Sequence, residues 1–298
     1  MKQWHPVFAQ LLRPAVEAYY DVETTLPVGD APREADFVLL RRTASSPPPF
    51  RGLWRHLSTW NILEFKGPTV SPRREDVDKL VELGLGIDRR LQAERVKQGK
   101  RRLGPEETSF WYLANSLGPR FLRAAEQKLG SLEPLGAGLW RCKLLQRLVL
   151  LVSSIDLPVE ADSLPLHVVG REPLATERQV AQLVLEQPAL QQLYGGWLAT
   201  LHPVAWKEIL IMARTAGKKP LFDLRPAIDA FGLDFVLEQA GIDRLLEQAG
   251  ADRLLEHVDI DWLIKELGEK ELIRRIGVER LIAGLSAAER RELKRRLQ

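Results

Sequence analysis

The sequence predicts an α/β protein, in which a mixed β-sheet flanked by helices is followed by an all-α C-terminal region of short repeats. Three observations carry this. Elements in the first half follow the order helix, strand, strand, strand, helix, strand, which builds a layered α/β sheet. The strands are apolar runs bounded by turn residues. From Gly232 onward a nine-residue unit recurs to the end of the chain.

The elements follow in order. Val7, Leu11, Leu12, Ala15 and Tyr19 fall at helical spacing. Tyr20 to Val28 reads as a strand closed by Gly29-Asp30, and Ala35 to Leu40 as a second strand. Thr43 to Thr59 contains Pro47-Pro48-Pro49, which cannot donate ladder hydrogen bonds, and so reads as a loop. Trp60 to Lys66 is a third strand stopped by Gly67-Pro68, and a long helix is expected from Arg73 to Val96. Thr108 to Ala114 is a strand and Arg120 to Leu129 a helix. Leu139 to Val169 looks β-rich, and Glu177 to Met212 returns to helical spacing, with breaks expected at Pro188 and Gly195-Gly196.

Composition narrows the function classes. Cys142 is the only cysteine, so neither an internal disulfide nor a multi-cysteine zinc site can be built, and a reducing, cytoplasmic compartment is expected. The start, Met1 to Leu12, carries Gln3, His5, Pro6 and Gln10 where a secretion signal needs an apolar stretch. The most apolar window, Leu148 to Val152, falls far short of the ~20 residues of a membrane-spanning helix. No GxxxxGK[ST], HExxH or GxSxG motif is present, and Gly84-Leu85-Gly86 lacks the rest of a dinucleotide fingerprint. The net charge of +3 divides into +5 over residues 1–231 and −2 over 232–298. A basic body therefore precedes an acidic tail.

In the tail, Gly232, Gly241, Gly250, Asp259, Gly268, Gly277 and Ser286 open successive units, and all are residue types that suit a helix boundary. Nine residues advance an α-helix by about two and a half turns, so the apolar stripe of one continuous helix would switch sides at every unit. An array of short stacked helices resolves this. Such an array is a packing module for self-association or a protein partner. Acidic residues in every unit argue against direct nucleic-acid contact there.

Three charged residues stand where strands should be buried: Asp36 in the second strand, and Glu64 and Lys66 in the third. Alternation puts Glu64 and Lys66 on one face with Trp60 and Ile62. An internal strand buries both faces, so a carboxylate and an ammonium at its end need partners or a ligand. Asp36 and Glu64 on adjacent strands suit Mg²⁺, or Mn²⁺ in its place, which takes one or two protein carboxylates. Lys66 would orient a water or neutralise developing charge. The alternative is structural: Glu64 and Lys66 as a strand-end ion pair, with Asp36 a second partner.

On Asp36 and Glu64-Phe65-Lys66, with a preceding helix and a strand–loop–strand between them, residues 5–170 resemble the PD-(D/E)XK nuclease superfamily, and within it the transposase-like and recombination-promoting nucleases of bacteria. Ala35 stands where the family name has proline, and no Gln motif follows Lys66. The resemblance implies a restriction-endonuclease-like fold and Mg²⁺-dependent cleavage of DNA. It implies Asp36 and Glu64 as metal ligands, Lys66 as the catalytic cation and Glu17 in the first helix as an auxiliary acid. The competing function is a catalytically inactive, nuclease-like protein that binds partners through its repeats.

Arg41, Arg42, Arg51 and Arg55 flank the loop between the two acidic strands, and Arg73 and Arg74 open the long helix. All six are candidates for phosphate contact, and Trp54 and His56 for base stacking. The layout expected is a nuclease-like domain over 1–172, a helical connector over 173–231 and the repeat array over 232–298.

Overall fold

The computed structural model describes residues 4–28, 33–44, 46, 48–215, 222–232 and 235–236, apart from the side chains of 25–28, 33–36 and 214–215. Helix α1 (Trp4–Val16) leads into β1 (Tyr20–Val28), β2 (Arg33–Arg42) and β3 (Trp60–Phe65). Helix α2 (Arg74–Lys97) then crosses to β4 (Thr108–Ala114). After α3 (Pro119–Leu129) come β5 (Glu133–Gly136), β6 (Leu139–Leu144) and β7 (Arg147–Ser153). Helices α4 (Leu164–Val169), α5 (Leu174–Glu186), α6 (Pro188–Leu201), α7 (Pro203–Thr215) and α8 (Arg225–Phe231) complete the described chain.

The seven strands form one mixed sheet in the order β1-β2-β3-β4-β7-β6-β5. The inner pairs β3–β4 and β4–β7 are parallel, while β1–β2–β3 and β7–β6–β5 are antiparallel. A parallel pair needs a crossover, and α2 supplies it between β3 and β4. All six residues of β3 and all seven of β4 are buried, as expected of central strands covered on both faces. On one face Ile62 and Phe110 pack with Val77, Leu80 and Ile87 of α2 and with Phe121 of α3. On the other, Phe8 of α1 stacks on Phe65 at 4.6 Å, and Trp54 lies 5.9 Å from Trp111.

Two local expectations change. Leu164–Val169, grouped with the β-rich stretch, is a fully buried helix. Pro165 supplies a helical φ at its start, and the Ser163 hydroxyl, which donates to Pro158 O at 2.7 Å and accepts from Glu160 N at 3.0 Å, fixes the entry. Pro188 does separate α5 from α6, but α6 runs unbroken through Gly195-Gly196. A β-carbon on Gly196 would collide with Asp223 O, so the glycine admits a neighbouring segment instead of ending the helix.

The chain divides into two compact units, Met1–Leu183 and Val184–Gln298. The division falls inside α5. From residue 237 the nine-residue repeats lie outside the described residues.

Candidate active site

Glu64 sits near the carboxyl end of β3, paired with Phe37 of β2 and Tyr112 of β4. Lys66 follows as the strand ends, its N–H donating to Leu113 O at 2.8 Å. The first turns of α2 return to this point. Asp76, the third residue of the helix, accepts the Arg73 N–H at 2.8 Å and so caps the helix start. Its other oxygen pairs with Lys66 at 3.0 Å, and Tyr112 Oη donates to Asp76 Oδ2 at 3.0 Å.

The site is a network of alternating charge. Lys66 Nζ lies 2.7 Å from Glu64 Oε1, and Lys79, one helical turn beyond Asp76, approaches the same oxygen at 3.6 Å. The Glu64 side chain is 3 % exposed, and its Oε2 is buried without a hydrogen-bond partner among the described residues. A buried carboxylate oxygen left unpaired is costly unless a ligand takes it up. Burial pushes the Lys66 ammonium toward neutrality, but Glu64 and Asp76 more than offset this and hold its pKa above the ordinary lysine value. Burial likewise pushes Asp76 up, yet the Arg73 N–H, Lys66 and Tyr112 bring it below the usual carboxyl value. The Tyr112 hydroxyl is driven far up by burial and by Asp76, and stays protonated as a donor.

The candidate residues separate into groups. Glu64 and Lys66 come together at the carboxyl end of β3, with Arg73 and Arg74 exposed at the adjoining helix start. Asp36 lies next to Phe37, the partner of Glu64, and its own side chain is outside what the structure describes. The β1–β2 register runs from Thr24↔Val38 to Leu26↔Ala35, so Thr25 alone spans both Phe37 and Asp36. This is a bulge in β2.

Glu17 lies just past α1, exposed, near Tyr20, which pairs with Arg42. It belongs with the end of the sheet where β3 begins, since Arg41 pairs with Trp60. Glu64 is four residues further along β3, about 13 Å away. The structure does not bring Glu17 to the pair. Arg41 and Arg42 share that far end, where Arg41 is tied to Glu23 at 2.9 Å. Arg51 and Arg55 flank Trp54 in the loop that leads into β3, and Trp54 packs on Trp111, level with Leu63 on the sheet face opposite the one where Glu64 meets α2. Trp54 is buried against Trp111 and is no base-stacking platform. Burial pushes the Cys142 thiol up to about 11, as suits an inert core residue.

Asp76, Lys79 and Tyr112 are site residues that sequence reasoning missed. The signal available for two of them was an acid at the third helix position with a lysine three residues later, which share one helical face. Among the described residues no group of three or more His, Cys, Asp or Glu is assembled for a metal, and no helix is long and apolar enough to cross a membrane. Comparison with family models, curated proteins and solved structures found no match to this chain.

Proposed function

We propose that the chain is a Mg²⁺-dependent phosphodiester hydrolase acting on DNA. The observation that carries this reading is the buried Oε2 of Glu64, without a partner among the described residues, at the carboxyl end of a central strand, two residues before a lysine that contacts the same carboxylate. Crevices at the carboxyl ends of parallel strands are the usual ligand sites of open α/β sheets. The order α1-β1-β2-β3-α2-β4 and the position of Glu64-Phe65-Lys66 at the end of β3 support the PD-(D/E)XK resemblance.

The donor set is hard oxygen, which suits Mg²⁺ or Mn²⁺. Glu64 Oε2 and the Asp36 carboxylate, on adjacent strands, would hold the ion. When bound it would polarise a phosphoryl oxygen and lower the pKa of a water. Lys66, fixed between Glu64 and Asp76, presents a permanent positive charge beside the reacting phosphate and stabilises the charge that develops on it. Asp76 orients that lysine, and Tyr112 orients Asp76.

A second reading is favoured by the same network. Lys66, Asp76 and Tyr112 are mutually satisfied and pin the start of α2 to the sheet, so the cluster would serve structure in a non-catalytic interaction protein. Cleavage of duplex, single-stranded and branched DNA in Mg²⁺ or Mn²⁺ separates the two. The hydrolase reading expects cutting by the wild-type chain, abolished in Glu64→Ala and Lys66→Ala variants whose circular dichroism is unchanged. Undiminished cutting by either variant, or none by the wild type, overturns it.

A further inference from the structure

We propose that Lys79 is a substrate ligand of this site, exchanging its contact with Glu64 for an anionic oxygen of the nucleic-acid backbone. The identity of that anion rests on the hydrolase reading.

Two ammonium groups share Oε1 of Glu64, and they are held differently. Lys66 is 14 % exposed and is fixed by two carboxylates, at 2.7 Å from Glu64 and 3.0 Å from Asp76. Lys79 is 44 % exposed and stands 3.6 Å from Glu64, its one ion pair among the described residues. With its side chain 44 % exposed and standing 0.9 Å further from the shared oxygen than Lys66 (3.6 against 2.7 Å), Lys79 makes the looser of the two contacts to the buried Glu64. The long lysine stem gives the ammonium room to move outward, which the locked Lys66 lacks. A cation bound at Oε2 would weaken the hold of Glu64 on Lys79 further.

Arg73 and Arg74 are exposed at the helix start, one to two turns before Lys79 and on other sides of α2, while Glu75, Asp76 and Glu82 share the helical face of Lys79. Lys79 is the more exposed of the two ammonium groups on Glu64, so a phosphate approaching from solvent meets it before it meets Lys66. Lys66 then acts on the reacting phosphate, and Lys79 anchors the strand that carries it.

The test is the salt dependence of binding to a duplex DNA oligonucleotide in metal-free buffer, where no metal-dependent cutting intervenes. The wild type is compared with Lys79→Ala, Lys79→Arg and Lys97→Ala, the last an exposed lysine about 27 Å along the same helix. We expect Lys79→Ala to weaken binding at low salt and to reduce the slope of log K against log salt by about one. Lys79→Arg should retain the slope, and Lys97→Ala should leave binding unchanged. A Lys79→Ala variant with wild-type slope and affinity overturns the proposal, as does an equal loss in Lys97→Ala. Because the readout needs no catalysis, the two failures are distinct. A wild type that never cuts, yet whose slope depends on Lys79, removes the hydrolase and keeps the anion site. One that cuts without that dependence removes only the role of Lys79.

Discussion

Asp76 shows how one side chain joins local and tertiary structure. One oxygen accepts the Arg73 N–H that starts α2 and the Tyr112 hydroxyl, and the other holds Lys66. Replacement by Asn keeps the shape and removes the charge, and should cost about 1.5–3 kcal/mol, the range for hydrogen bonds to a charged group. The pH dependence follows from the direction of its shift. A carboxyl held below its ordinary value stabilises the fold fully above about pH 3.9, and that contribution is lost as pH falls through the lower native value. Urea titrations should therefore show the full difference between wild type and Asp76→Asn at pH 7, shrinking below pH ~4. A difference that stays constant into acid would show that the charge of Asp76 contributes nothing. The Glu64/Lys66 pair was legible because alternation along one strand is a local rule. Asp76 was not, because nothing local says that a helix start ten residues later folds back onto Lys66.

At the scale of elements, α2 is tied to the sheet at its start and again past its middle. There Asp88, buried on α2, accepts Arg147 Nη2 at 2.6 Å and Nε at 3.2 Å, and Thr108 Oγ1 at 3.3 Å. Arg147→Ala would leave that carboxylate buried without its cation, at a cost of about 3–5 kcal/mol. The double variant Asp88→Leu/Arg147→Met should lose less, since an apolar pair leaves no charge uncompensated. Equilibrium denaturation of the three chains checks the order, and a double variant less stable than Arg147→Ala contradicts it. Most element boundaries could be read from proline, glycine and apolar spacing, as with β3 and β4. Leu164–Val169 could not, because a six-residue apolar run fits a buried strand or a buried helix equally well.

At the scale of the whole molecule, the two compact units should melt separately, since each has its own buried residues. Calorimetry should resolve two transitions. Arg147→Ala, in the first unit, should lower only one of them. Gly196→Ala, whose added carbon meets Asp223 O, should lower only the other, by the equivalent of about 1–3 kcal/mol of overpacking. A single transition moved by both substitutions would refute the division. The sequence by itself determined the α/β class, the strand that carries Glu64 and Lys66, and the exclusion of an internal disulfide or a multi-cysteine zinc site. Those follow from periodicity and composition, which are properties of neighbouring residues. Only the tertiary structure decided that Arg41, Arg42 and Glu17 belong to the far end of β3, and that the loop carrying Arg51 and Arg55 packs on the face opposite Glu64. It likewise decided that Asp76, Lys79 and Tyr112 complete the site. Strand direction and crossover, which no local pattern encodes, set which loops share an edge of the sheet.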